Sequence, residues 1–178
     1  MTDMTTAYIS LGGNMGDEAK RFAQALALLE NIPGIVVAKV SGLYRTEPQG
    51  DPDQPWFTNQ AAAVRCPPDM TAADFLHLLL DIESKLGRIR APDRRYGPRA
   101  IDLDLLLFGS TVCMEEGVRV PHPRLAERAF VLVPLLEIAP CLRFPDGTSP
   151  AACLEKLRYS VSGTVIHQQQ KELYGKSK

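Results

Sequence analysis

The chain has 178 residues, 20 Lys+Arg against 21 Asp+Glu, and 45% hydrophobic residues. That length suits one domain able to bury its own core, and 23% charged residues exclude a disordered or fibrous chain. A formal charge of −1 excludes a surface basic enough to coat nucleic acid or anionic membrane, though not a local basic site.

Ala7 to Leu11 is a short β-prone run, ended by the turn residues Gly12, Gly13 and Asn14. A helix is expected from about Asp17 to Glu30. Asp17 stands as its N-cap, Phe22, Leu26 and Leu29 repeat at helical spacing, and Pro33-Gly34 stops it. Ile35 to Tyr44 reads as one extended second strand. Glu47 to Pro55 holds three prolines and a glycine, a long loop of the kind that carries function. Phe57 to Arg65 reads as a third strand. Thr71 and Asp74 form a capping-box pattern ahead of a second helix, whose apolar stripe is Phe75, Leu78, Leu79, Ile82 and Leu86, closed by Gly87.

Arg88 to Arg99 is basic and has no hydrophobic period. Ala100 to Phe108 is a fourth strand, turning at Gly109-Ser110. Val118 to Pro123 is extended. Leu125 to Ile138 is helical in two pieces, with the break expected at Pro134. Pro150 to Leu157 is a last short helix, and the polar tail from His167 to Lys178 is expected to fray.

The order β-α-β-β-α-β predicts an α+β, ferredoxin-like fold, an antiparallel sheet with helices packed on both faces. One domain is expected over 1–178, its core over about 7–160 and a C-terminal extension over 161–178. The four cysteines have no metal-ligand spacing and read as reduced, mostly core thiols. Met1 to Thr6 lacks the regions of a secretory signal. The longest apolar run, Phe130 to Leu136, falls far short of the ~20 residues of a membrane span. A cytoplasmic location follows as the expectation.

The strongest chemical feature is Arg99-Ala-Ile-Asp-Leu-Asp-Leu-Leu-Leu-Phe108. In a strand Asp102 and Asp104 share a face, about 6.5–7 Å apart along the backbone. Two carboxylates in an apolar strand repel and resist burial, so a cation is expected beside them. Either nearby arginines supply it, or a hard divalent ion such as Mg²⁺ does. The preceding Arg88–Arg99 segment carries five of the chain's 13 arginines and no lysine. Guanidinium forks match phosphate oxygens, so arginines beside acid-held Mg²⁺ suit phosphoryl transfer.

Tyr96 either stacks on a base or packs. Glu83, in the last helical turn, either pairs with a neighbouring cation or accepts from a ligand. His122, held between two prolines, either meets a phosphate or caps locally, with Arg128 in reach of the same anion. Asn59 mid-strand, on one face with Phe57, suits a flat hydrogen-bonding heterocycle or edge packing.

Arg95-Tyr-Gly-Pro-Arg-Ala-Ile-Asp-Leu-Asp-Leu-Leu106 resembles the signature of the 6-hydroxymethyl-7,8-dihydropterin pyrophosphokinase family of folate biosynthesis. Tyr8-Ile-Ser-Leu-Gly-Gly-Asn14, Tyr44-Arg-Thr-Glu-Pro48, Asp53-Gln-Pro-Trp-Phe-Thr-Asn59, Gly87-Arg-Ile-Arg90 and Val120-Pro-His-Pro-Arg124 agree with it in order. The resemblance implies transfer of the β,γ-pyrophosphoryl group of ATP to the pterin hydroxymethyl oxygen, with release of AMP. It implies two Mg²⁺ held by Asp102 and Asp104.

The resemblance also implies ATP contacts from Glu83, Arg88, Arg90, Tyr96, Arg99, Leu105, His122 and Arg128. Pterin contacts are implied for Thr46, Pro48, Gln49, Phe57, Asn59 and Phe130. Arg88, Arg90, Arg99 and His122 would offset charge on the leaving phosphate. Flexible loops are implied at 12–16, 47–53 and 88–97. A monomer without nucleic-acid or membrane partners is expected. Tyr96 stands where the family often has Trp, and Phe57 where it can have Tyr. Another Mg²⁺-dependent nucleotide transferase and a nucleic-acid-binding module remain as alternative classes.

Overall fold

The computed structural model describes residues 3–48, 53–88 and 97–169. In chain order the elements are β1 (Thr5–Gly13), α1 (Glu18–Glu30), β2 (Val36–Val40), β3 (Tyr44–Thr46), β4 (Phe57–Cys66), α2 (Ala72–Lys85) and β5 (Asp102–Phe108). There follow β6 (Cys113–Glu115), β7 (Val118–Val120), a short 3-10 helix (Leu125–Glu127), α3 (Ala129–Ile138), α4 (Pro150–Leu154), β8 (Tyr159–Ser162) and β9 (Val165–Gln168).

The main sheet runs β5-β1-β4-β3-β9-β8, with β2 also paired to β4. β1 is antiparallel to both β4 and β5, and β2 and β3 are antiparallel to β4. The expectation of a purely antiparallel sheet is corrected at one place. β9 pairs with β3 in parallel, Arg45 opposite Val165 and Thr46 opposite Ile166. The polar run Ser160–Gln169 carries too little hydrophobic pattern to announce a strand, yet Gly163 turns it into a hairpin and Ile166 is buried. His167 and Gln168, expected in a frayed tail, therefore complete β9.

Alternation along the strands feeds separate apolar clusters. Ala7, Ile9 and Leu11 of β1 and Leu103 and Leu105 of β5 pack with Phe22, Leu29, Phe75 and Leu79 of α1 and α2. Leu106, Leu107 and Ile166 join Leu132 and Leu135 of α3 and Leu154 of α4. Burying such a side chain contributes about 1.5–3 kcal/mol.

Helix α2 begins as expected, with the Thr71 hydroxyl accepting from the Asp74 N–H and the Asp74 carboxylate accepting from the Thr71 N–H. Asp17 does sit before α1, but its left-handed backbone (φ 55°) leaves its side chain without a capping bond. The single strand expected over 35–44 is two. At the break the Ser41 hydroxyl accepts from the Ala61 N–H, and the Gly42 N–H turns away to the Glu137 carboxylate. Pro134 does not break its helix. The break lies at Arg128, whose extended backbone (φ −118°, ψ 102°) separates the 3-10 helix from α3. Buried Val131, Leu132, Leu135 and Ile138 hold α3 together around the proline. Of the four free cysteines, Cys66 and Cys153 are buried, Cys113 is partly so, and Cys141 is exposed.

Candidate active site

The register places the site. Gly12 on β1 lies opposite Asn59 on β4 and opposite Asp102 on β5. Directly opposed residues share a face, so Asn59 and Asp102 lie on the same side, two strand spacings or about 10 Å apart, with no side chain between them. Tyr44 extends this row to β3. One step along, Ser10 lies opposite Asp104.

Asp102 and Asp104 alternate with Leu103 and Leu105, whose side chains are 2% and 3% exposed. Leu105 therefore keeps its side chain in the core and leaves its main chain as the part able to meet a ligand. Arg88 binds Asp102 Oδ1, the Glu83 carboxylate (3.0 Å) and the Ile101 carbonyl (3.2 Å). Arg99 binds Asp102 Oδ2 at 2.7 Å. Glu83 is 2% exposed and also accepts from the Leu103 N–H at 2.6 Å, so the end of α2 is stitched to the start of β5.

The two aspartates have different electrostatics. Burial alone would raise the pKa of Asp102, but the Arg99 and Arg88 guanidiniums outweigh it and hold the carboxyl below its ordinary value. Asp104 is pushed up to about 6, first by burial and then by the Asp102 charge. Arg128 offsets this only in part, at 3.7 Å from Asp104 Oδ2. The cation expected beside the pair is thus arginine at Asp102, while Asp104 remains under-neutralised and 32% exposed.

No group of three His, Cys, Asp or Glu side chains that could hold a metal occurs among the described residues. The donor set still suits a hard divalent ion. Two carboxylates on one strand face offer oxygen ligands, and a cation would relieve the raised pKa of Asp104. The buried Nε atoms of Arg99 and Arg128 lack hydrogen-bond partners among the described residues, so donors suited to an anion surround the same acids.

His122 is anchored beside β5 by its own N–H, which donates to the Leu106 carbonyl at 2.9 Å, and it follows the cis Val120–Pro121 peptide. Its Nδ1 accepts from the Arg124 N–H at 3.1 Å. Burial first, then Arg128, pushes its pKa down to about 4. The ring is therefore neutral near pH 7 with its proton on Nε2, a single directed donor.

On the other flank, the Asn59 amide donates to the Thr46 hydroxyl at 2.9 Å, and both residues are buried. Thr46, Pro48 and Phe130 line a cavity of about 690 Å³. Phe57 carries the Arg99 guanidinium 5.2 Å from its ring centre, and Phe130 carries that of Arg128 at 5.7 Å. The arginines of the acidic pair thus touch both aromatic residues expected at the pterin. Gln49, Arg90, Tyr96, Arg94 and Arg95 lie outside the described residues.

Asn14 went unsingled in the sequence. It is 3% exposed, and its amide donates to Gln54 Oε1 (3.1 Å) and the Pro55 carbonyl (2.9 Å). Its Oδ1 accepts from the Arg99 N–H at 2.9 Å, and its own N–H donates to the Arg99 carbonyl at 3.0 Å. One side chain clasps the ends of all three expected loops. Gly13 lets the segments meet, since a Cβ there would lie 2.7 Å from the Ala100 carbonyl oxygen. A polar residue after paired glycines at a strand end was the available signal.

Residues 8–140 match the family model of 7,8-dihydro-6-hydroxymethylpterin-pyrophosphokinase (HPPK). The chain belongs to the HPPK family. The 2-amino-4-hydroxy-6-hydroxymethyldihydropteridine pyrophosphokinase of Methylorubrum extorquens is 48% identical over 139 residues, covering 78% of this chain and 85% of its own. The same-named Pseudomonas aeruginosa protein is 41% identical over 140 residues, 79% of this chain and 84% of its own.

A crystal structure of Plasmodium falciparum HPPK-DHPS matches with a TM-score of 0.66 at 13% identity, covering 92% of this chain and 48% of that one. The chain thus spans about half of that solved protein, and the likeness shows an α+β HPPK-like fold. Among the described residues no helix is long and apolar enough to cross a membrane.

Proposed function

We propose that this HPPK-family chain carries out the family's transfer of a pyrophosphoryl group from ATP to 6-hydroxymethyl-7,8-dihydropterin where the β5 acids meet the Phe130 cavity. The observation that carries this reading is the row Asn59–Gly12–Asp102, which sets an amide and a carboxylate on one face with nothing but a glycine between. The pterin occupies the Thr46, Pro48, Gln49, Phe57, Asn59 and Phe130 side. Thr46 accepting from Asn59 leaves the Asn59 carbonyl oxygen oriented as an acceptor for a ring N–H. ATP lies along Glu83, Arg88, Arg90, Tyr96, Arg99, the Leu105 main chain, His122 and Arg128.

The pterin hydroxyl oxygen attacks the β-phosphorus in line, the bond from that phosphorus to the oxygen shared with the α-phosphate breaks, AMP leaves with that oxygen, and the hydroxyl proton passes to water. Arg99 and Arg128, whose Nε–H groups have no partner among the described residues, meet the developing charge, and neutral His122 donates from Nε2. Asp102 and Asp104 fit as ligands for two Mg²⁺, which when bound would neutralise the triphosphate. No nucleophilic serine or cysteine is required. Residues 88–97 and 47–53 would exclude water around the reacting phosphates.

The sheet order and pairing support a ferredoxin-like core with helices over both faces. We propose that the chain works as one domain, as a monomer in the cytoplasm. Incubation with ATP, Mg²⁺ and the reduced pterin should yield AMP and the pterin diphosphate in equal amounts. Release of inorganic pyrophosphate instead would mark nucleotidyl transfer and end this reading.

A further inference from the structure

The cavity beside Phe130 has lining residues that the family match does not reach. The match ends at residue 140, yet Tyr159, His167 and Gln168 of the β8–β9 hairpin line the same 690 Å³ space as Thr46, Pro48 and Phe130. The parallel pairing of β9 with β3 holds the hairpin there, Ile166 opposite Thr46.

Gln168 then reaches across to α3. Its Oε1 accepts from the Ala129 N–H at 2.8 Å, and its Nε2 donates to the Glu127 carbonyl at 2.7 Å. The first N–H groups of a helix have no partner within it, so Ala129 needs one from outside. The two backbone groups bracket Arg128, the extended residue between the 3-10 helix and α3. Arg128 sends its guanidinium toward Asp104 and over the ring of Phe130. A single amide thus clamps both sides of the joint that aims one phosphate-side and one heterocycle-side group. On the opposite flank His167 Nδ1 lies 2.7 Å from Glu47 Oε1, and its ring meets Trp56 edge-on at 5.7 Å.

We infer that Gln168 is a positioning residue of the substrate site, fixing Arg128 and Phe130 so that the cavity is preformed for the pterin. This rests on the function proposed above. A group that is held before binding spares the ligand the cost of ordering it, so loosening the clamp weakens pterin binding through Phe130 and lowers turnover through Arg128. A packing role alone would change stability and leave KM where it was.

Steady-state kinetics and thermal melts on the full chain separate the two. Gln168→Met keeps the side chain's length and removes both hydrogen bonds. It should raise the pterin KM about tenfold through Phe130 and lower kcat about threefold or more through Arg128. Gln168→Glu keeps the acceptor for Ala129 and should raise KM by less. A pterin KM within twofold of wild type in Gln168→Met overturns the inference, whatever the melt does. Should that variant fail to fold, Gln168→Glu decides by the same twofold criterion. Wild-type protein that releases no AMP overturns the underlying function, and this inference with it. Active wild type beside an unchanged variant KM overturns the clamp alone.

Discussion

Asp102 and Asp104 are two residues apart and differ in how they meet charge. Asp102 is held by two guanidiniums, whereas Asp104 has one at 3.7 Å and a pKa near 6. A carboxyl whose folded pKa exceeds its ordinary value near 4 binds its proton more tightly when folded. Its contribution to stability therefore declines as pH rises from about 4 to about 6 and stays lost above. Asp104→Asn should melt higher than wild type at pH 7.5, by roughly 2–4 °C for about 1 kcal/mol, discounted for the solvent that reaches Asp104. Near pH 4.5 the two should melt alike, and turnover should be lost throughout. A lower melting temperature at pH 7.5 would show that Arg128 outweighs the repulsion.

His122 has the opposite sign. Its folded pKa of about 4 lies below the ordinary 6.5, so its contribution is present above about pH 6.5 and is lost as pH falls toward 4. His122→Gln should flatten the decline of melting temperature over that window. An unchanged slope would place the acid-labile group elsewhere. The acidic pair and its arginines were legible because paired carboxylates in an apolar strand demand a cation. Which cation each would meet depends on how α2 and α3 dock, and a linear sequence does not carry that.

The local signal of the Thr71–Asp74 box came out as expected, whereas those of Asp17 and Pro134, and the elements defined by distant partners, did not. The Thr71–Asp74 box caps α2 within four residues of chain. The break between β2 and β3 needs Glu137, some 95 residues on, to capture the Gly42 N–H. Strand β9 exists because β3 offers it an edge. Pro134 is tolerated because the side chains around it are buried, and that packing overrides its local preference.

Asn14 belongs to the same class. Its role lies in joining residues 54, 55 and 99, all distant in sequence. Asn14→Ala removes three side-chain hydrogen bonds at a buried point, at a cost of about 1–3 kcal/mol, and loosens the junction of Asn14 with residues 54, 55 and 99 beside the proposed site. Urea unfolding should show that loss, and turnover should fall at least about tenfold. Normal turnover in a destabilised variant would reduce Asn14 to a structural clasp.

No single stretch of the molecule contains the proposed site. β3 and β4 supply Thr46, Phe57 and Asn59, β5 the acids, and the end of α2 Glu83 and Arg88. The segment before α3 supplies His122 and Arg128. Such an assembly concentrates charge that is only partly neutralised among the described residues, so a ligand that pairs with it should add stability. A non-hydrolysable ATP analogue with Mg²⁺ at about 100 times its Kd contributes about 2.7 kcal/mol. For a chain of this size that raises the melting temperature by roughly 5–11 °C. Asp104→Asn should start higher and gain less than about half as much, because relief of that carboxylate is part of what the ligand supplies. Equal shifts in the two proteins would mean that nucleotide and metal bind without engaging Asp104, and the site would have to be sought away from β5.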